Sequence, residues 1–85
     1  MFIKLYILHK GVNMSVGENI KRLRKQRGLT QEQLADKVNV VRSTVTQWES
    51  GWSQPRMGKV NLLSQIFGVD PSEIVDDPST KLVPN

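Results

Sequence analysis

An all-α fold of five short helices is what this sequence predicts, on three observations. Ser15, Thr30 and Asp70 are followed three residues later by Glu18, Gln33 and Glu73, the spacing at which side chains cap a helix start. Apolar residues then recur at three- and four-residue intervals, the period of an amphipathic helix. Gly28, Gly51 and Gly68 close three of these runs, and glycine is the residue that most easily takes the left-handed turn ending a helix.

The first helix starts at Ser15. Val16, Ile20 and Leu23 form its apolar stripe, Lys21, Arg22, Arg24, Lys25 and Arg27 occupy the remaining surface, and Gly28 ends it. The second starts at Thr30 and turns Leu34, Ala35 and Val38 inward. It ends at Asn39, which tolerates positive φ better than most residues. The third runs from Arg42 to Ser50 and stops at Gly51. Val45 and Trp48 bury one face and leave Arg42, Ser43, Thr44, Thr46 and Gln47 outside. Trp52–Pro55 is a loop in which Trp52 is expected to pack over the third helix. The fourth helix, Met57–Phe67, carries a core stripe of Val60, Leu63 and Phe67 and a second apolar pair, Leu62 and Ile66. Pro71 suits the first position of a short fifth helix bearing Ile74 and Val75.

The chain divides into an N-terminal extension, 1–14, a helical domain, 15–76, and a polar, proline-bearing tail or linker, 77–85. In the extension Ile3, Leu5 and Ile7 alternate with polar partners, a strand-like period. That run is far shorter than the ~20 residues of a membrane span. It has no basic segment ahead of it and no small-residue cleavage site, so it is a poor signal peptide. An upstream extension ahead of Met14, a β-arm pairing with a partner and a disordered tail are the three readings of this segment.

Composition narrows the chemistry. There is no cysteine, which excludes disulfides and thiolate metal sites, and cytoplasmic residence is the simplest expectation. His9 is the single histidine, so there is no nucleophile–base pair, metal cluster or cofactor site to expect. The chain is therefore read as a non-enzyme. Its net charge is +4 and is divided, with basic residues crowding the first helix and Asp70, Glu73, Asp76 and Asp77 the C-terminal part. A basic half on a small protein is the footprint of a nucleic-acid partner, with a solvated surface as the plain alternative.

The stretch Gln31–Gly51 resolves that choice. Two short helices, a small Ala35 where they cross and Asn39 at the turn give the spacing of a DNA-binding helix-turn-helix. The third helix is then the recognition helix. Its outer face offers Arg42, Ser43, Thr46 and Gln47 to base edges, with no acidic residue before Glu49.

Over Ser15–Val75 the chain resembles the five-helix DNA-binding domain of lambda-type phage repressors and Xre-type bacterial regulators. The matching runs are IKRLRKQRGLTQEQLADKV, STVTQWESG, Pro55 and LLSQIFGVDPSEI. The resemblance implies a homodimer on double-stranded DNA, a partly palindromic operator and transcriptional control, most simply repression. It also implies phosphate contacts from Gln31 and Thr44, and an ion pair of Arg24 with Glu49 tying the recognition helix to the scaffold. Gln54 and Arg56, in and after the loop, are further phosphate candidates. Surplus apolar surface nominates Leu62, Ile66, Val69, Ile74 and Val75 for the dimer interface. Three positions depart from the family. Val41 stands where a small hydroxyl residue is usual, at a cost of ~1 kcal/mol in helix capping. Asn39 replaces a frequent glycine, and Gly58 replaces a helix former. Competing roles are the DNA-binding half of a larger phage-type repressor, with a further domain as partner, an antitoxin with a toxin partner, and a restriction–modification controller.

Overall fold

The computed structural model describes residues 15–75; the readings of the N-terminal extension and of the tail lie outside these residues. Four α-helices appear in order: α1 (Val16–Gln26), α2 (Gln31–Lys37), α3 (Arg42–Ser50) and α4 (Met57–Phe67). A single 3₁₀ turn, Pro71–Glu73, follows. The fifth helix of the sequence reading is thus a turn. Asp70 caps it and Pro71 opens it, but the backbone closes i→i+3, with the Ile74 N–H on the Pro71 carbonyl at 2.9 Å.

The first two starts are closed locally. In α1 the Ser15 hydroxyl accepts from the Glu18 N–H at 3.1 Å, and Glu18 accepts from the Ser15 N–H at 3.0 Å. Thr30 and Gln33 repeat the arrangement on α2 at 3.0 and 2.9 Å. The stops are also local: Gly28, Gly51 and Gly68 all take positive φ, and Asn39 does so at 59° between α2 and α3.

Ile20, Leu23, Leu34, Ala35, Val38, Val45, Trp48, Val60, Leu63, Phe67 and Ile74 form one core. All the helices contribute to it. α3 packs against both α1 and α2. Gly17 lets α1 approach α3 closely, because a Cβ at this position would lie 2.1 Å from the Trp48 carbonyl oxygen.

Three polar contacts tie parts of the bundle that are distant in sequence. Asn19, buried, donates to the Ile74 carbonyl at 2.9 Å. The Arg27 guanidinium donates twice to the Phe67 carbonyl, serving the exposed end of α4 as a cationic cap. Lys59 reaches the Val38 carbonyl at 2.7 Å. Each satisfies an acceptor that the helix ends leave without an intrahelical partner.

Candidate nucleic-acid interface

Helix α3 is anchored on one side and open on the other. Val45 and Trp48 are buried, and their burial fixes which face of α3 points outward. On that outward face Arg42, Ser43, Thr46 and Gln47 line one open depression. The four form a compact set of donors and acceptors in which Arg42 brings the charge and Gln47 an amide with both polarities.

The start of α3 is bare. Val41 occupies the cap position with no side-chain hydrogen bond and is 66% exposed. The first N–H groups of the helix therefore receive no side-chain acceptor, the Thr44 N–H donates to the Val41 carbonyl at 3.0 Å, and the Val41 side chain stands exposed. Thr44, in the first turn, is half-buried, while Gln54 in the loop and Arg56 just after it are exposed. Arg56 itself begins α4 without a side-chain cap.

The far end of α3 is held by a polar network. Arg24 Nε donates to Glu49 Oε2 at 2.6 Å and Nη2 to Oε1 at 3.0 Å, a two-point pair whose side chains are 10% and 4% exposed. Arg24 also donates to the Leu29 carbonyl at 2.9 Å. The carboxylate beside it raises the affinity of Arg24 for its proton, so the guanidinium stays charged. Glu49 Oε1 accepts a further hydrogen bond from Gln31 Nε2 at 3.0 Å. Gln31 Oε1 in turn accepts from the Thr46 hydroxyl at 3.0 Å. The chain Arg24–Glu49–Gln31–Thr46 thus runs from the scaffold to the outer face of α3.

Residues 20–74 match the family model described as helix-turn-helix. The chain belongs to this helix-turn-helix family. It is 37% identical over 62 residues to the HTH-type transcriptional activator BcrR of Enterococcus faecalis, covering 73% of this chain and 30% of that protein. It is 38% identical over 64 residues to the immunity repressor protein of Bacillus phage phi105, covering 75% and 44%. The chain therefore spans less than half the length of these relatives. Among solved structures it is similar to the P22 c2 repressor bound to a synthetic operator, with a TM-score of 0.69 and 26% identity over 73% of this chain and 94% of that one. The restriction–modification controller C.AhdI of Aeromonas hydrophila gives a TM-score of 0.65 and 27% identity over 78% and 93%. The fold is the lambda-repressor-like one that the sequence motifs imply.

Within this helix-turn-helix frame two sequence expectations need correction. Trp52 does not pack over α3; it is 84% exposed, because Gly51 turns the chain away from the helix that Trp48 already fills. Ile74 is not available to a dimer partner. It is fully buried, since the 3₁₀ turn folds it beneath α4 and Asn19 ties its carbonyl to α1. Leu62, Ile66, Val69 and Val75 are half-buried and pack against the same core with part of their surface outward. Gly17, Asn19, Arg27 and Lys59 hold the domain together without having been singled out from the sequence. Only Gly17 carried a local signal, a glycine inside a helical run.

Proposed function

We propose that the chain is a sequence-specific DNA-binding transcriptional regulator, a repressor that grips a partly palindromic operator as a homodimer. The observation that carries this reading is the convergence of Arg42, Ser43, Thr46 and Gln47 on one open face of a helix whose opposite face is sealed into the core. Arg42 offers two parallel donors to guanine O6 and N7, and Gln47 offers a donor and an acceptor to adenine N6 and N7. Ser43 and Thr46 complete the base-reading set. Gln31, Thr44, Gln54 and Arg56 flank it as phosphate contacts, which set register and orientation without reading sequence. Gln31 retains one Nε2 hydrogen beyond the one given to Glu49, and that hydrogen is free for a phosphate oxygen.

The half-buried Leu62, Ile66, Val69 and Val75 supply the dimer contact. Two copies joined there present two recognition helices about one DNA turn apart, ~34 Å. The operator-bound P22 repressor and the phi105 immunity repressor support the repressor reading. A second role, control of restriction–modification genes, draws support from C.AhdI, 93% of whose chain is covered.

The test is selection of bound sequences from a random duplex pool, followed by titration of Arg42→Ala and Arg56→Ala. Wild type should enrich a motif with two related half-sites. Arg42→Ala should lose preference at one base position in each half, and Arg56→Ala should weaken all sequences alike. No enrichment by wild type, or a uniform loss for Arg42→Ala, contradicts the assignment.

A further inference from the structure

The network behind α3 fixes not only where Thr46 stands but which way its hydrogen bond points. Both Glu49 oxygens accept from the Arg24 guanidinium, so the Gln31 amide must turn Nε2 toward that carboxylate. That orientation is forced: the flipped amide would set its oxygen against a carboxylate oxygen at 3.0 Å. Gln31 Oε1 consequently faces Thr46, and an amide oxygen only accepts. The second neighbour of the Thr46 hydroxyl is the Arg42 carbonyl at 3.2 Å, also only an acceptor. Two acceptors on the protein side compete for one hydroxyl hydrogen. None remains for the outer face.

We propose that Thr46 is a polarity-selective reader, held by Gln31 and Glu49 as an acceptor only, which selects bases bearing an exocyclic amino group and rejects bases bearing a keto oxygen. In the major groove the available donors are adenine N6 and cytosine N4, whereas guanine O6 and thymine O4 are acceptors. A freely rotating hydroxyl pairs with either class. The Gln31 amide oxygen, with the more distant Arg42 carbonyl behind it, removes that freedom. Gln31 and Glu49 touch no base in this scheme and act as positioning residues. The inference rests on the DNA-binding reading of this face and goes beyond it by giving one reader a hydrogen-bond sign.

The experiment is sequence selection from a random duplex pool with wild type, Thr46→Val and Gln31→Leu, each variant first checked for a cooperative thermal transition. Thr46→Val keeps the shape and removes the hydroxyl, so it identifies the base position that Thr46 reads. At that position wild type should favour adenine or cytosine over guanine or thymine by about ten-fold, and Thr46→Val should reduce the ratio to about two-fold or less. Gln31→Leu lowers overall affinity through its phosphate role, but the ratio between bases at one position is independent of that loss. Only the longer contact to the Arg42 carbonyl then remains for the hydroxyl hydrogen, so partial relief of the keto rejection there, with other positions unchanged, is the result expected. A keto base preferred at the Thr46 position overturns the proposal, as does a base ratio unmoved by Gln31→Leu. Thr46→Val leaving every position unchanged overturns it too. If wild type enriches no sequence, the DNA-binding reading itself fails and takes the proposal with it.

Discussion

α1 and α2 begin on closed capping boxes, whereas α3 and α4 begin on Val41 and Arg56 with no side chain folded back. The first pair satisfies its end groups from within. The second pair has only backbone contacts there, Thr44 N–H on the Val41 carbonyl and Lys59 N–H on the Arg56 carbonyl. The contrast is sharpest between α2 and α3, the two helices of the motif. α3 is held instead from its middle and far end, by Val45, Trp48 and Glu49, while Val41, Arg42 and Ser43 stay exposed. Fixing one end of a helix and exposing the other is the division that the proposed base-reading role requires. Rigidity comes from the scaffold, and the side chains of Arg42 and Ser43 stay exposed.

The largest effect should come from cutting the far-end anchor. Glu49→Ala leaves a buried guanidinium with only the Leu29 carbonyl and is expected to cost ~3–5 kcal/mol in urea denaturation. Unchanged stability would show that the anchor lies elsewhere. Gly17→Ala attacks the same join sterically. Its methyl group would enter the space of the Trp48 carbonyl, so the helices must separate, and a loss of about 3 kcal/mol is expected by the same measurement. A paired change sharpens the contrast of the helix starts. Thr30→Ala opens a closed cap and should cost ~1 kcal/mol, while Val41→Ser supplies a missing one and should gain ~1 kcal/mol. If both changes have the same sign, the capping distinction is not energetic.

The smallest effect concerns pH. The Asp70 carboxylate accepts the Ser72 N–H at 3.0 Å, and that bond, with the Ser72 hydroxyl, holds its pKa below the ordinary 3.8. A carboxyl whose folded pKa is depressed contributes stability above the unfolded value and loses it as pH falls through the folded one. Acid titration of stability should therefore show a slight decline below about pH 4 that Asp70→Asn flattens. Identical acid profiles for the two proteins would remove Asp70 from the account. The group is fully exposed, so the difference should be small.

The parts of this fold legible in the sequence are those made by neighbours. The two capping boxes join residues three apart, the glycine stops act on their own backbone, and the core stripes follow the helical period. The outward face of α3 was legible for the same reason, once Val45 and Trp48 were assigned inward. The clasps were not. Asn19 meets Ile74 across 55 residues and Arg27 meets Phe67 across 40, and no local pattern encodes which carbonyl a long polar side chain will find. Ile74 departs from the sequence expectation on that account, and Trp52 for a local reason that outweighs its apolar character. One was drawn inward by a distant tether, and the other was turned outward by a single positive-φ glycine.

The two tryptophans stand four residues apart and in opposite surroundings, Trp48 sealed at 4% exposure and Trp52 open at 84%. They are the only two in the chain. The protein thus carries a matched pair of fluorophores, one reporting the integrity of the interior and one reporting what approaches the loop beside α3. Emission from Trp48 should shift to the red when the bundle melts, whereas Trp52 already emits as a hydrated indole and changes only when something covers it. A single cuvette can then separate unfolding from ligand docking, with Trp52→Phe isolating the first signal and Trp48 left to read it alone.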